Sequence, residues 1–212
     1  SRVISQHERE LTAWHEAGHA VVMHLLPDHD PVTRITIIPR GQAGGMTIAL
    51  PEEDRSYLSK GYMEDQIVAL LGGRTAEELC LGDISTGASN DIQRATQIAR
   101  KMVASYGMSE RIGTVCFDSG HEEVFIGRTM AQGRSYSETV AAEIDEEIKR
   151  VVGEAGARCR SLLESHRAQL DAVAQYLLQH ETMEREEFVA VFDQPDAQKA
   201  EQPAELPVEK QE

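Results

Sequence analysis

The chain has 212 residues, of which 41% are hydrophobic, and a formal net charge of −15. This length and apolar content suit one globular domain with a substantial core. The strong negative charge excludes nucleic acid and an anionic membrane surface as direct partners, and no run approaches the 18 apolar residues of a membrane-spanning helix.

Three cysteines, an odd number, lie far apart in apolar stretches: Cys80, Cys116 and Cys159. We expect core thiols of a reducing compartment rather than disulfides or zinc ligands. The sequence starts at Ser1 inside a helix-like stretch, so we expect it to be a soluble part of a longer protein.

The first predicted helix covers about residues 5–26 and carries the motif His15-Glu16-Ala17-Gly18-His19. H-E-x-x-H places two imidazoles one turn apart on one helix face, as zinc ligands require. Glu16 then offers a carboxylate that can accept a proton from water. Because the flanks are apolar nearly all round, burial of these groups would cost about 2–7 kcal/mol for each unsatisfied one. A metal ion removes that cost, so the motif predicts zinc-dependent hydrolysis rather than two solvated histidines.

Two further features of this helix carry expectations. Ser5 and Glu8 form an S-x-x-E capping box at its start. Gly18 is expected to keep the floor of the site small.

The next predicted elements are two strands, at 32–38 and 45–50, joined by a turn. A long helix is predicted at about 55–80. Gly72-Gly73 inside it costs about 1 kcal/mol for each glycine against alanine, which indicates close packing against another backbone. A loop at 82–89 precedes a third helix at about 90–106.

The second half of the domain is predicted to be mostly helical. Short extended pieces are expected at 114–117 and 124–126, and a very long helix begins at Ser135, with Glu138 completing another capping box. Two shorter helices follow, near 167–180 and 184–192. Residues 193–212 are rich in proline and acids, which predicts a disordered acidic tail. The fold class is therefore mainly α-helical with a small β-hairpin, in one domain of residues 1–192.

A catalytic zinc needs three protein ligands plus water, and the downstream acids Glu77, Glu78 and Asp91 are the candidates for the third. Asp91 is favoured because it starts a helix whose buried face follows it, after a loop of small residues. A carboxylate at a helix N-terminus also complements the helix dipole, worth about 0.3–1 kcal/mol, and the residues alone leave both interpretations open. Glu77 and Glu78 are expected to support the site or to pair with Arg74.

The sequence also resembles the peptidase domain of the FtsH family, the membrane-anchored ATP-dependent zinc proteases of the AAA+ class, from about Ser5 to Phe192. Besides the H-E-x-x-H helix, the matching stretches are 29–32, 37–41, Gly72-Gly73-Arg74 with Ala76-Glu77-Glu78, Ser85-Thr86-Gly87-Ala88-Ser89-Asn90-Asp91, and 125–128.

The resemblance implies His15, His19 and Asp91 as ligands of Zn²⁺ and Glu16 as the catalytic base. It also implies a hexameric ring beneath an AAA+ ATPase ring, at the cytoplasmic face of a membrane, that degrades membrane proteins and unstable soluble proteins. The chain has no G-x-x-x-x-G-K-[ST] phosphate loop, so we expect polypeptide substrates but no ATP hydrolysis by this chain alone.

Two further expectations concern the reaction. The strand at 45–50 is a candidate edge for binding an extended substrate by strand addition, although an ordinary hairpin strand fits its pattern equally well. The rival function is a non-catalytic, ring-forming helical module with a structural zinc; such sites usually have four Cys or His ligands.

Overall fold

The structure is a computed structural model, which describes residues 3–118 and 136–193. These residues form seven α-helices and one small sheet, which confirms the mainly helical prediction. In chain order the elements are α1 (Gln6–Leu25), β1 (Val32–Thr36), β2 (Met46–Ala49), α2 (Lys60–Leu70), α3 (Gly72–Leu81), α4 (Ser89–Arg100), α5 (Glu138–Ser165), α6 (Arg167–His180), β3 (Thr182–Glu184) and α7 (Arg185–Phe192).

Helix α1 runs through the centre of the domain and contacts α2, α3, α5, α6, β1 and β2. Its start is capped by Ser5, whose Oγ accepts a hydrogen bond from the Glu8 backbone N–H at 3.1 Å. From Ala13 onward most of its residues are buried, including the whole stretch from His15 to Val22. The H-E-x-x-H motif therefore lies in the core of the fold, as the apolar flanks predicted.

The sheet has the strand order β2-β1-β3, with both neighbours antiparallel to β1. Strand β3 was not predicted, because three residues between two helices carry no readable alternation. Strand β2 lies at one edge of the sheet, where the register pairs Thr47 with Ile35 of β1.

The predicted helix at 55–80 is wrong as one element. Residues 51–59 are not helical, and the helical segment is divided at Leu71 into α2 and α3. The glycines at the break pack closely against α1, as expected. A Cβ on Gly18 would lie under 3.0 Å from the Gly72 carbonyl oxygen and 2.5 Å from Ala76 Cβ. Gly18 thus serves the crossing of α1 and α3 rather than the floor of the site.

The later elements follow the predictions with local differences. Helix α4 continues into a π-helical turn over Lys101–Ser105, and residues 114–117 form no strand because the backbone N–H of Phe117 bonds instead to the Ala104 carbonyl. Helix α5 is capped by Ser137, whose side chain accepts from the Val140 N–H. The predicted cap at Ser135, the extended piece at 124–126 and residues 194–212 lie outside the described residues.

The cysteines differ from expectation at one position. Cys159 is buried and Cys80 partly buried, but Cys116 is exposed, so the core prediction is wrong for Cys116. Burial raises the pKa of both Cys80 and Cys159 to about 11. Within the described part of the chain, no helix combines the length and hydrophobicity needed to cross a membrane.

Candidate active site

Three side chains predicted as metal ligands converge at one point between α1 and α4. His15 and His19 project from α1, and Asp91 projects from the first turn of α4. The two Nε2 atoms lie 3.0 Å apart, and they lie 3.2 Å and 3.1 Å from Asp91 Oδ2. Ligand atoms about 2.0–2.1 Å from a tetrahedral zinc lie about 3.3 Å apart. The triangle thus has the dimensions of three zinc ligands.

The hydrogen bond at Nδ1 of each imidazole determines which ring nitrogen faces the centre of this triangle. His19 Nδ1 lies 2.7 Å from the Ala69 carbonyl oxygen, which can only accept, so Nδ1 carries the proton. His15 Nδ1 lies 2.8 Å from Glu77 Oε2 and donates to that carboxylate. In their neutral forms, imidazoles held in this way present Nε2 lone pairs toward each other and toward Asp91. Lone pairs at such separations repel unless a cation lies between them, so the donor set fits a metal ion.

The electrostatics of the metal-free site agree with this conclusion. Burial lowers the pKa of His15, but hydrogen bonds to Asp91 and Glu77 outweigh it and raise the pKa to about 9. Burial raises the pKa of Asp91, but hydrogen bonds from His15 and His19 dominate and hold it well below its usual range. The site thus favours a positive charge among its three donors.

Glu77 on α3 supports His15 from a buried position. Its second oxygen, Oε1, accepts a hydrogen bond from the Ser85 hydroxyl, just before a 3-10 turn at Thr86–Ala88. Gly73, one turn earlier on α3, leaves room for the imidazole, since a Cβ there would lie within 2.6 Å of three His15 ring atoms. One face of α3 therefore both orients and accommodates the first histidine.

Glu78 has no comparable role. Its carboxylate pairs with Arg160 of α5 at 3.3 Å, and both side chains are about half exposed. The two neighbouring glutamates therefore have different partners. Glu77 contacts a histidine of the site, whereas Glu78 contacts an arginine on another helix. The expected pairing partner Arg74 is not the one found.

Glu16 lies beside the three donors with its carboxylate turned toward β2. The Thr47 hydroxyl donates to Glu16 Oε2 at 2.6 Å and lies 3.1 Å from the Glu16 carbonyl oxygen. A cleft of about 790 Å³ opens over this group. Its lining includes the three donors, Glu16, residues 42–47 and Arg94. The cleft therefore brings the donors, a carboxylate and the edge strand to one accessible surface.

Sequence reasoning missed Thr47, Ser85 and the Ala69 carbonyl. No local pattern marks them, because each acts through a contact far away along the chain. The other histidines lie away from the cleft where they are described; His24, for example, packs on Phe188 and Phe192 of α7. His121 and Glu122 lie outside the described residues.

Comparison with known proteins places this chain in a family. The model for peptidase family M41 matches residues 2–191. The chain is similar to ATP-dependent zinc metalloprotease FtsH 1 of Thermoanaerobacter sp. (strain X514), with 58% identity over 193 residues, which cover 91% of this chain and 32% of that protein. It is also similar to ATP-dependent zinc metalloprotease FtsH of Caldicellulosiruptor bescii, with 53% identity over 188 residues, covering 89% of this chain and 30% of that protein.

The helical fold and the three donors in an open cleft define a metallopeptidase domain of the H-E-x-x-H class. The chain spans about a third of the length of the curated relatives it matches. It belongs to peptidase family M41, which confirms the resemblance to the FtsH peptidase domain.

Proposed function

We propose that this chain is a zinc-dependent endopeptidase domain that hydrolyses peptide bonds in extended polypeptides. The observation that carries the proposal is the triangle of His15, His19 and Asp91, with sides of 3.0–3.2 Å, beside the Glu16 carboxylate in an open cleft.

The three donors would hold the zinc ion, with Glu77 and the Ala69 carbonyl keeping the imidazoles in the tautomers that metal binding needs. When bound, zinc would act as a Lewis acid on the scissile carbonyl and on water. The proton transfers are carried out by a side chain of the protein. Glu16 accepts the proton of the attacking water and passes it to the leaving amine.

Strand β2 supplies the surface for the substrate. Among the described residues it is an edge strand, and the cleft runs along residues 42–47, directly before and within it. An extended peptide paired with this edge would pass over Glu16, because Thr47 of β2 is hydrogen bonded to that carboxylate. Main-chain pairing would bind polypeptides of varied sequence.

The whole protein is proposed to join this domain to an AAA+ ATPase domain and a membrane anchor. The relatives carry the words "ATP-dependent" in their names and are about three times as long. The domain would then form part of a hexameric ring at the cytoplasmic face of a membrane, where it degrades membrane proteins and unstable soluble proteins.

The competing function, a ring-forming module with a structural zinc, is less well supported. Among the described residues the donor cluster has three members, His15, His19 and Asp91, whereas structural zinc sites have four protein ligands. The cleft also leaves the cluster open to a substrate, which a structural site does not require.

The proposal is tested by zinc analysis and hydrolysis of unfolded casein and a short peptide, without ATP. The wild-type domain should bind about one zinc and cleave both. Glu16→Gln should keep zinc and fold but lose nearly all turnover, because an amide cannot accept the water proton. Glu10→Gln, on the same helix but away from the cleft, is the matched control and should behave as wild type.

Separate variants test the ligands. His15→Ala, His19→Ala and Asp91→Ala should each lower zinc affinity steeply, while Glu78→Ala should not. A zinc-loaded wild type without hydrolytic activity would favour the structural module. Full turnover by Glu16→Gln would show that Glu16 is not the base.

A further inference from the structure

The Thr47 hydroxyl donates a short hydrogen bond to the Glu16 carboxylate. Its Oγ lies 2.6 Å from Glu16 Oε2, across 31 positions of sequence and between two different elements, β2 and α1. Hydrogen bonds to an ionised carboxylate are typically short and stronger than those between neutral groups. The contact therefore restrains the end of a side chain that would otherwise rotate about several bonds.

This hydrogen bond places the two carboxylate oxygens of Glu16 in different environments. Oε2 accepts from Thr47, whereas no residue in the described ranges 3–118 and 136–193 donates to Oε1. Glu16 lines the cleft. Oε1 is thus the oxygen that remains available to accept a proton from water.

The backbone around Thr47 is also close to Glu16. A Cβ on Gly45 would lie 3.0 Å from Glu16 Cγ and 2.8 Å from the Thr36 carbonyl oxygen. Thr47 pairs with Ile35, which is fully buried in the core. The hydroxyl is therefore held on a strand that has little freedom to move away from α1.

We propose that Thr47 is a positioning residue for peptide hydrolysis: its hydroxyl fixes Glu16 so that Oε1 faces the water to be activated. The inference rests on the proposed function, in which Glu16 is the base. Because Thr47 belongs to the strand proposed to bind substrate, the same element aligns the peptide and the carboxylate. The Thr47 hydroxyl is hydrogen bonded to Glu16 and to none of the three metal donors, so its effect should be on turnover rather than on metal binding.

The test compares Thr47→Val with Thr47→Ser, using zinc-loaded protein and a short unstructured peptide. Valine keeps the β-branched shape suited to a strand but lacks the hydroxyl, whereas serine keeps the hydroxyl. Thr47→Val should lower kcat roughly tenfold to a hundredfold, as expected for loss of a hydrogen bond to a charged group, with KM and zinc content nearly unchanged. Thr47→Ser should retain kcat within about threefold.

The matched control is Thr33→Val. Thr33 lies on β1, and its hydroxyl donates to the Ile48 carbonyl of β2 at 3.2 Å without touching Glu16. The same substitution there should leave kcat unchanged. If Thr47→Val does not fold, Thr47→Ser and Thr47→Ala provide the comparison, because they differ from each other only in the hydroxyl.

Two further measurements separate positioning from general damage. In the Glu16→Gln background, Thr47→Val should cause no additional loss, because its effect passes through Glu16. A crystal structure of Thr47→Val should show the Glu16 carboxylate displaced. Wild-type kcat in Thr47→Val, or an unmoved carboxylate, would overturn the positioning role while leaving the base assignment intact. Full activity of Glu16→Gln would instead show that the proposed function has failed.

Discussion

The Glu77 carboxylate lies 2.8 Å from Nδ1 of His15, although the two residues are 62 positions apart in the sequence. Glu77 is 1% exposed, so its charge is compensated inside the protein by this imidazole and by the Ser85 hydroxyl. Its position makes it the partner that sets which nitrogen of His15 faces the metal donors.

Replacing Glu77 should therefore weaken metal binding without removing a ligand. We expect Glu77→Gln to lower zinc affinity about tenfold to a hundredfold, the usual effect of losing a group that orients a metal ligand. Titration against a competing chelator measures this change. Glu78→Gln is the matched control, because Glu78 pairs with the half-exposed Arg160, and equal losses in the two variants would contradict the orienting role.

Gly18→Ala should lower the free energy of unfolding, because α1 and α3 cross at Gly18. An alanine Cβ would come under 3.0 Å from the Gly72 carbonyl oxygen and from Ala76 Cβ, and such overpacking costs about 1–3 kcal/mol or more. The free energy of unfolding from urea denaturation measures the loss.

Gly153 is the control for Gly18, since it also lies inside a helix but a Cβ there meets nothing within 4 Å. Gly153→Ala should stabilise the protein by about 0.5–1 kcal/mol, the propensity difference in a helix interior. A neutral Gly18→Ala would show that the two helices can separate at little cost.

The metal-free protein should lose stability as the pH rises. The pKa of His15 is about 9 in the folded chain against an ordinary value of 6.5, so folding favours its protonated form. This contribution is fully present below pH 6.5 and is lost between pH 6.5 and about 9, with a slope of at most about 1.4 kcal/mol per pH unit.

Urea denaturation of chelator-treated protein at several pH values measures this slope. His15→Asn should reduce it, because an amide does not titrate. A metal-free stability that rises between pH 7 and 9 would contradict the predicted sign.

Residues 193–212 are predicted to contribute nothing to the folded domain. A tail of this composition buries too little apolar surface to offset the backbone entropy of ordering, about 1–2 kcal/mol per residue. Truncation after Phe192 should leave Tm and zinc content unchanged. A fall of many degrees in a thermal scan would show that the tail docks on the domain.

The sequence predicted those parts of the fold that depend on local pattern. The apolar flanks of the motif located α1, and the spacing of His15 and His19 predicted that they share a face. The predicted limits of α6, residues 167–180, also agree with the observed ones. Such features repeat within a turn or two of helix, so periodicity reveals them.

Features that depend on distant packing were not predictable in the same way. The division of the second helix at Leu71 arises from the crossing with α1, and Gly72-Gly73 indicated the close approach but not the break. The contact from Thr47 to Glu16 joins β2 to α1, and no residue near either one in the sequence marks it. For Asp91, the residues alone left a ligand and a helix-dipole role equally open.

Both imidazoles of the site are oriented by one short stretch of chain, residues 69–77. The Ala69 carbonyl holds His19, Glu77 holds His15, and Gly73 between them leaves space for the ring. Adding or deleting one residue within this stretch would turn α3 by about 100° relative to Ala69, so that one histidine would keep its partner while the other lost it. The length of this stretch is therefore as strictly constrained as the identity of the ligands.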